Sequence, residues 1–125
     1  MAKILLVEDE LLIGWDIKDT LEEAGHEVDG PYATVAEALE RVERALPEIG
    51  FLDVRLADGE VDPLADRLQA QDVRLVFHSG HIRALDHGRR YPGCTVCAKP
   101  STPDELVEAV AQQVARRKGG GLAAE

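Results

Sequence analysis

Ile4-Leu5-Leu6-Val7-Glu8-Asp9-Glu10, entered from Lys3, decides how the rest of the chain is read: an unbroken aliphatic run ends in three consecutive carboxylates. An apolar run that does not alternate with polar residues fits a strand buried on both faces, as in a parallel sheet covered by helices. Comparable β-prone runs recur at His26–Gly30, Ile49–Asp53, Val73–His78 and Cys94–Ala98, each followed or preceded by a longer segment with helical spacing. The pattern is β-α repeated five times, and it predicts an α/β fold with a doubly wound parallel sheet.

The helical segments carry their own punctuation. From about Glu10 to Ala24, Ile13, Ile17, Leu21 and Ala24 form one stripe, and Gly25 suits a left-handed C-terminal cap. Thr34 and Glu37 make a capping box for a second helix whose apolar face is Val35, Ala38, Leu39, Val42 and Leu46. Asp62-Pro63 opens the third, with Asp62 as cap and Pro63 at the first helical position. Thr102-Pro103-Asp104-Glu105 opens the last, which buries Leu106, Val107, Val110, Ala111 and Val114 and ends near Lys118. Between Ser79 and Cys94 only a turn or two of helix fits before Gly88, Pro92 and Gly93 interrupt it, so the fourth helix is expected to be short and mobile. Residues 1–118 read as one domain, and Gly119-Gly120-Gly121 begins a flexible tail over 119–125.

At 125 residues with 45% hydrophobic and 30% charged residues, the chain is globular and long enough for one core and one site. Its formal net charge of -10 argues against nucleic acid, because the only compact basic cluster is Arg116-Arg117-Lys118. No apolar run approaches the ~20 residues a membrane span needs, no leader pattern opens the chain, and a cytoplasmic protein is expected. Cys94 and Cys97 lie three apart in a strand, on opposite faces and about 10 Å apart, which excludes a disulfide and leaves two buried thiols.

In a doubly wound sheet the functional crevice lies beyond the carboxyl ends of the strands. Glu8-Asp9-Glu10 ends the first strand, Asp53 the third, Ser79 the fourth, and Lys99-Pro100 the fifth. Taken singly, a terminal Asp is a turn former or cap, a Ser-Gly is a turn, and a Lys is a surface charge. Together they are complementary. Converging carboxylates call for a cation, and hard oxygen ligands suit Mg²⁺. A carboxylate beside metal and Lys can attack phosphorus, while the metal, Lys99 and the Ser79 hydroxyl offset charge on the phosphoryl oxygens.

The motifs Lys3–Glu10, Phe51-Leu52-Asp53-Val54, Phe77-His78-Ser79-Gly80 and Ala98-Lys99-Pro100 resemble the receiver domain of bacterial two-component response regulators across essentially the whole chain. The resemblance implies a flavodoxin-like (βα)5 fold with strand order 2-1-3-4-5. It implies Asp53 as phospho-acceptor, and a Mg²⁺ held by Glu8, Asp9, Asp53 and the backbone carbonyl of Arg55. Ser79 becomes the hydroxyl that moves toward the phosphoryl group and Lys99 its counter-ion, before a Pro100 whose peptide is commonly cis. The donor is a sensor histidine kinase or histidine phosphotransfer protein. The chain is then a stoichiometric acceptor with slow self-dephosphorylation rather than an enzyme, and it signals to an unnamed downstream protein by contact, with homodimerisation left open. Phe77-x-Ser79-Gly80-His81 is also similar to stand-alone alphaproteobacterial receivers with a Phe-x-Thr-Gly-x ending to the fourth strand, Ser79 standing where that group typically has Thr.

One departure bears on mechanism. Many receivers carry Tyr or Phe three residues before the Lys, where this chain has Val96, so an aromatic relay is not expected. Reordering of the poorly packed segment His81–Gly93 is expected to replace it. Arg55 and His81 are expected to flank the entry of attacking water. Other readings are a phosphate sink for a kinase, a phosphorylation-independent binding module, a phosphohydrolase, and an FMN or nucleotide binder; the last is disfavoured because Glu8-Asp9-Glu10 repels an anion arriving without metal.

Overall fold

The computed structural model describes residues 1–80 and 84–123. Its main sheet is parallel, with β1 (Lys3–Val7) flanked by β2 (Glu27–Tyr32) and β3 (Ile49–Asp53), then β6 (Arg74–Ser79) and β7 (Thr95–Ala98), in the order β2-β1-β3-β6-β7. Counted over these five strands, the order is the expected 2-1-3-4-5. The sheet reverses direction of winding after β2, so β1 and β3 lie side by side and both end at the same crevice.

The numbering is lengthened by a small hairpin, β4 (Arg55–Leu56) with β5 (Gly59–Glu60), that the sequence pattern does not announce. Two-residue strands are too short to show a period. The hairpin has a structural use: Asp58, in its turn, accepts hydrogen bonds from Val35 N at 2.8 Å and Ala36 N at 3.2 Å. It thereby caps α2 (Val35–Arg44) from a distance, alongside the expected local cap in which Thr34 Oγ1 accepts from Glu37 N at 3.1 Å.

Two apolar cores lie on the two faces of the sheet. Leu5, Val7, Leu52, Leu75 and Phe77 point to the side covered by α2 and α3 (Asp62–Ala70). Ile4, Leu6, Ile49, Phe51 and Val76 point to the side of α1 (Leu11–Glu23) and α5 (Pro103–Ala123). The strict alternation along each strand, with apolar residues at both parities, is why these strands read as unbroken hydrophobic runs. Cys94 packs on the first core and Cys97 lies in the second, so the two thiols are free and face opposite sides.

Helix α1 closes as expected: Gly25 has φ +97°, its N–H donates to Glu22, and His26 N donates to Leu21 O at 3.1 Å. Near its start, a Cβ on Gly14 would meet Pro31 Cβ at 2.7 Å, so glycine lets this helix lie close to the end of β2. Helix α5 begins with the expected reciprocal box, Glu105 N to Thr102 Oγ1 at 3.2 Å and Thr102 N to Glu105 Oε1 at 2.9 Å. Its buried face is Leu106, Ala109, Val110 and Gln113, while Ala111 is exposed; three-and-four spacing from Leu106 selects the former set. Gln113 Nε2 donates to Gly93 O at 2.9 Å and Thr95 Oγ1 at 2.8 Å, tying α5 to the entry of β7. The helix continues past the expected end near Lys118 to Ala123, because each glycine weakens a helix by only about 1 kcal/mol and does not itself interrupt the hydrogen-bond ladder. Among the described residues no helix is long and apolar enough to cross a membrane.

Two expectations about α3 and α4 (Ala84–Arg90) are corrected. Asp62 does not cap α3, which starts one residue earlier than expected with Val61 in the cap position and Pro63 following Asp62. The Asp62 carboxylate is engaged elsewhere: Oδ1 lies 2.9 Å from His87 Nε2 and Oδ2 lies 3.5 Å from Arg90 Nη1. Helix α4 is short, as expected, but its described C-terminal part is not poorly packed. Tyr91 is 1% exposed, donates to Asp66 Oδ1 at 2.6 Å, and has its ring 5.3 Å from Phe77 and 6.1 Å from His87. Burial and this hydrogen bond to Asp66 raise the phenol pKa. Arg90 adds an ion pair to Asp66 at 3.1 Å. Acidic residues one turn apart on α3 meet a histidine, an arginine and a tyrosine from the next connection, which no local pattern reveals. His81 falls outside the described residues, as do 82 and 83.

Tyr91→Phe keeps the ring and deletes the donor, and should lower stability by about 1.5–3 kcal/mol, the usual net value of a hydrogen bond to a charged group. Urea denaturation checks this; an unchanged midpoint would mean the hydroxyl does not hold α4 to α3.

Candidate functional site

The carboxyl ends of β1, β3, β6 and β7 converge because parallel strands in register deliver their last residues to one edge. Val7 pairs with Leu52, Asp53 with His78, and Ser79 with Ala98. Glu8, Asp53, Ser79 and Lys99 therefore arrive at the same end of the sheet. Glu8 follows β1, Asp53 closes β3, Ser79 closes β6, and Lys99 follows β7.

Lys99 joins the strands chemically. Its Nζ lies 2.9 Å from Glu8 Oε1 and 3.2 Å from Asp53 Oδ2. Glu8 is 1% exposed and Asp53 7%, so one ammonium sits between two buried carboxylates. Its backbone is pinned too, since Lys99 N donates to Ser79 O at 3.1 Å, and the peptide to Pro100 is cis. The carboxylates of Glu8, Asp9 and Glu10 lie within 4.8 Å of one another. Glu8 Oε2 also accepts from Glu10 N at 3.2 Å, which fixes how the buried carboxyl is turned.

The electrostatics follow from this crowding. Burial first, then the neighbouring Asp53, push the Glu8 carboxyl up to about 7, against the pull of Lys99. Lys99 is raised: its partners Glu8 and Asp53 outweigh the burial that acts to lower it. Burial explains most of this rise; what calls for a cation is instead the crowding of Asp53 and the Glu8, Asp9 and Glu10 carboxylates at one end of the sheet.

Arg55, two residues past Asp53, is exposed and turns its guanidinium toward Glu60 at 3.8 Å. Ser79 is buried. Sequence reasoning passed over His78, which it counted within an apolar strand. This imidazole is 4% exposed, stacks at a tilt 5.5 Å from Phe51, and is pushed down to about 4 by burial and by the Lys99 charge. The signal was a histidine amid residues that otherwise read as fully buried.

No family model matches the chain. Over 94% of its length it is 32% identical to the phyllosphere-induced regulator PhyR of Methylorubrum extorquens, of which it covers 47%. Superposed on the response regulator PhyR from Brucella abortus it reaches a TM-score of 0.86 at 29% identity, covering 99% of this chain and 52% of that one. SdrG from Sphingomonas melonis is matched nearly end to end, with 91% of this chain and 97% of that one at 36% identity and a TM-score of 0.76. The fold, the convergent strand ends and these relatives agree: the chain belongs to the receiver domains of response regulators. It spans about half the length of the curated relatives it matches.

The raised Glu8 sets a sign for stability without metal. The unfolded chain releases this proton near 4.5 and the folded chain only near 7, so between those values the unfolded state binds fewer protons. The contribution of Glu8 to stability therefore falls as pH rises from about 4.5 to 7. Glu8→Gln should be relatively more stable than wild type at pH 7.5 than at pH 5 in the presence of a chelator. Thermal unfolding at both pH values checks this, and an equal difference at the two would count against the assignment.

Proposed function

We propose that this receiver domain takes a phosphoryl group onto Asp53 from a phosphohistidine on a sensor histidine kinase or a histidine phosphotransfer protein. The observation that carries this reading is the Lys99 ammonium placed between Asp53 and Glu8. An Asp53 oxygen attacks phosphorus, the P–N bond to the donor imidazole breaks, and a P–O bond to the carboxylate forms. Lys99 then follows the charge onto a phosphoryl oxygen, and Ser79, ending the strand beside β3, is the hydroxyl assigned to another. Glu8, Asp9, Asp53 and the Arg55 carbonyl are the assigned holders of Mg²⁺, which when bound neutralises charge on the transferred group and the carboxylates together. Water returns Asp53 to its free form slowly, so turnover is that of a switch and not of an enzyme.

A protein donor is supported by the surface beside the site. Leu12 is 89% exposed and Trp15 52%, on the helix that begins directly after the acidic residues. Large apolar side chains grouped in this way suit contact with another protein. The proposed setting is the cytoplasm, the output is contact with a downstream protein, and no nucleic acid or membrane is involved. Val96 lies 36% exposed on β7, which supports a route other than a rotating aromatic there. Phe77, two residues before Ser79, touches both His87 and Tyr91, and this contact is the proposed route from the phosphoryl group to α4.

Acetyl phosphate with Mg²⁺ should add one phosphoryl group to wild type by intact mass and none to Asp53→Asn or to wild type with chelator. Lys99→Gln should load more slowly by on the order of 10²-fold. Loading of Asp53→Asn equal to wild type, or no loading of either, sinks the reading. The output step has its own check: amide exchange at residues 86–93 should speed up or slow down several-fold in the phosphorylated protein, and an unchanged pattern there would remove α4 from the route.

A further inference from the structure

At the end of the sheet opposite Asp53, where Arg74 opens β6 and Gly93 and Cys94 lead into β7, there is a cavity of about 60 Å³. Tyr91 and Gln113 are buried in its wall, and Gln69, Pro92 and Arg116 form an exposed rim. A single water needs roughly 10–15 Å³ of such space and a drug-sized molecule about 300–1,000 Å³, so the cavity suits one small polyatomic group.

Charge selects the class of that group. Arg74 and Arg116 line the cavity, and among the described residues no carboxylate does. Arg41, Arg55, Arg67 and Arg90 each meet a carboxylate, whereas among the described residues neither Arg74 nor Arg116 has an ion pair or a side-chain hydrogen bond. Arg74 Nε is sealed in the wall, which leaves its terminal nitrogens to reach an anion. The Arg116 guanidinium fills the space that a side chain on Gly93 would take: a Cβ there would lie 2.7 Å from Arg116 Nε. Burial pushes the Cys94 thiol up and the Arg116 charge opposes it, so the same guanidinium also stands near Cys94 in the cavity lining. Two like charges at one small cavity are costly until an anion joins them. Arg116 further opens Arg116-Arg117-Lys118, the one compact basic cluster in a chain of net charge -10, which the acceptor site leaves unused. Each guanidinium fork pairs with two oxygens. A carboxylate has oxygens for one fork, and a tetrahedral oxyanion has enough for both.

We propose that this cavity binds a phosphate-type oxyanion through the Arg74 and Arg116 guanidiniums, either as the free ion or as the head of a phosphate monoester whose remainder leaves over the exposed rim. The site is separate from Asp53, and its occupation needs neither Mg²⁺ nor phosphoryl transfer.

Inorganic phosphate is titrated with a chelator into the ¹⁵N-labelled full chain, at an ionic strength held with chloride at about 0.15 M, where exposed charges more than ~8 Å apart are screened. Saturable shifts are expected at the amides of Leu75, Gly93 and Cys94 and at the Nε signals of Arg74 and Arg116. Acetate should bind at least fivefold more weakly. Arg116→Gln, at an exposed position, should weaken phosphate at least fivefold, and Arg116→Lys, which keeps the charge without the fork, should recover only part of the loss. Phenyl phosphate divides the sources: affinity equal to that of phosphate or higher assigns a monoester, and weaker binding assigns the free ion, each in support of the oxyanion. Shifts that rise linearly to the highest phosphate concentration, acetate bound as tightly as phosphate, or undiminished binding by Arg116→Gln overturns the proposal. Saturable shifts confined to Glu8, Asp53 and Lys99 would place the phosphate at the acidic site and overturn it equally. Acetyl phosphate loading of Asp53, followed by mass, reports on the acceptor alone, so either idea can fail without the other.

Discussion

The bridge from Lys99 to Glu8 and Asp53 is the interaction on which the functional end of this molecule depends. It joins residues that follow three different strands, and it places a single positive charge against buried carboxylates that would otherwise repel one another. A charge cluster of this kind is tolerated in a protein interior only when its members offset each other. Burial, and after it the Asp53 carboxylate, outweighs the pull of Lys99, which is why Glu8 holds its proton above the ordinary carboxylate range. The same burial costs stability as the pH rises past the ordinary carboxylate range.

A second polar assembly works differently. Asp62 and Asp66 on α3 gather His87, Arg90 and Tyr91, and the ring of Tyr91 closes the core over Phe77. This cluster is closer to the surface, and it holds α4 to α3. An interior aromatic is therefore present in the region where an aromatic at position 96 is absent, but it comes from the connection before β7 and not from the strand. The consequence is mechanical: α4 is attached both by these polar side chains and by the ring contacts of His87 and Tyr91 with Phe77.

Much of this was legible in the sequence. Unbroken aliphatic runs at both parities announce strands covered on two sides, and the capping boxes at Thr34 and Thr102 mark helix starts through interactions three residues apart. Because each strand's last residue must lie at the crevice, Glu8, Asp53, Ser79 and Lys99 could be selected from the chain by position. Where the reading failed, the determining partner was remote. Asp62 looks like a cap until His87 and Arg90 claim it, Asp58 looks like a turn residue until it caps α2, and α4 looks unanchored until Tyr91 finds Asp66.

The sequence by itself determined the α/β class, the order of the five main-sheet strands and their helices, and the set of residues that end those strands, since periodicity and capping are local properties of the chain. Only the tertiary structure decided that Lys99 bridges two carboxylates, that Glu8 is buried enough to hold its proton, and that His78 is buried against Phe51. Burial and charge pairing depend on which distant segments are brought to the same place, and that information appears only once the sheet has formed.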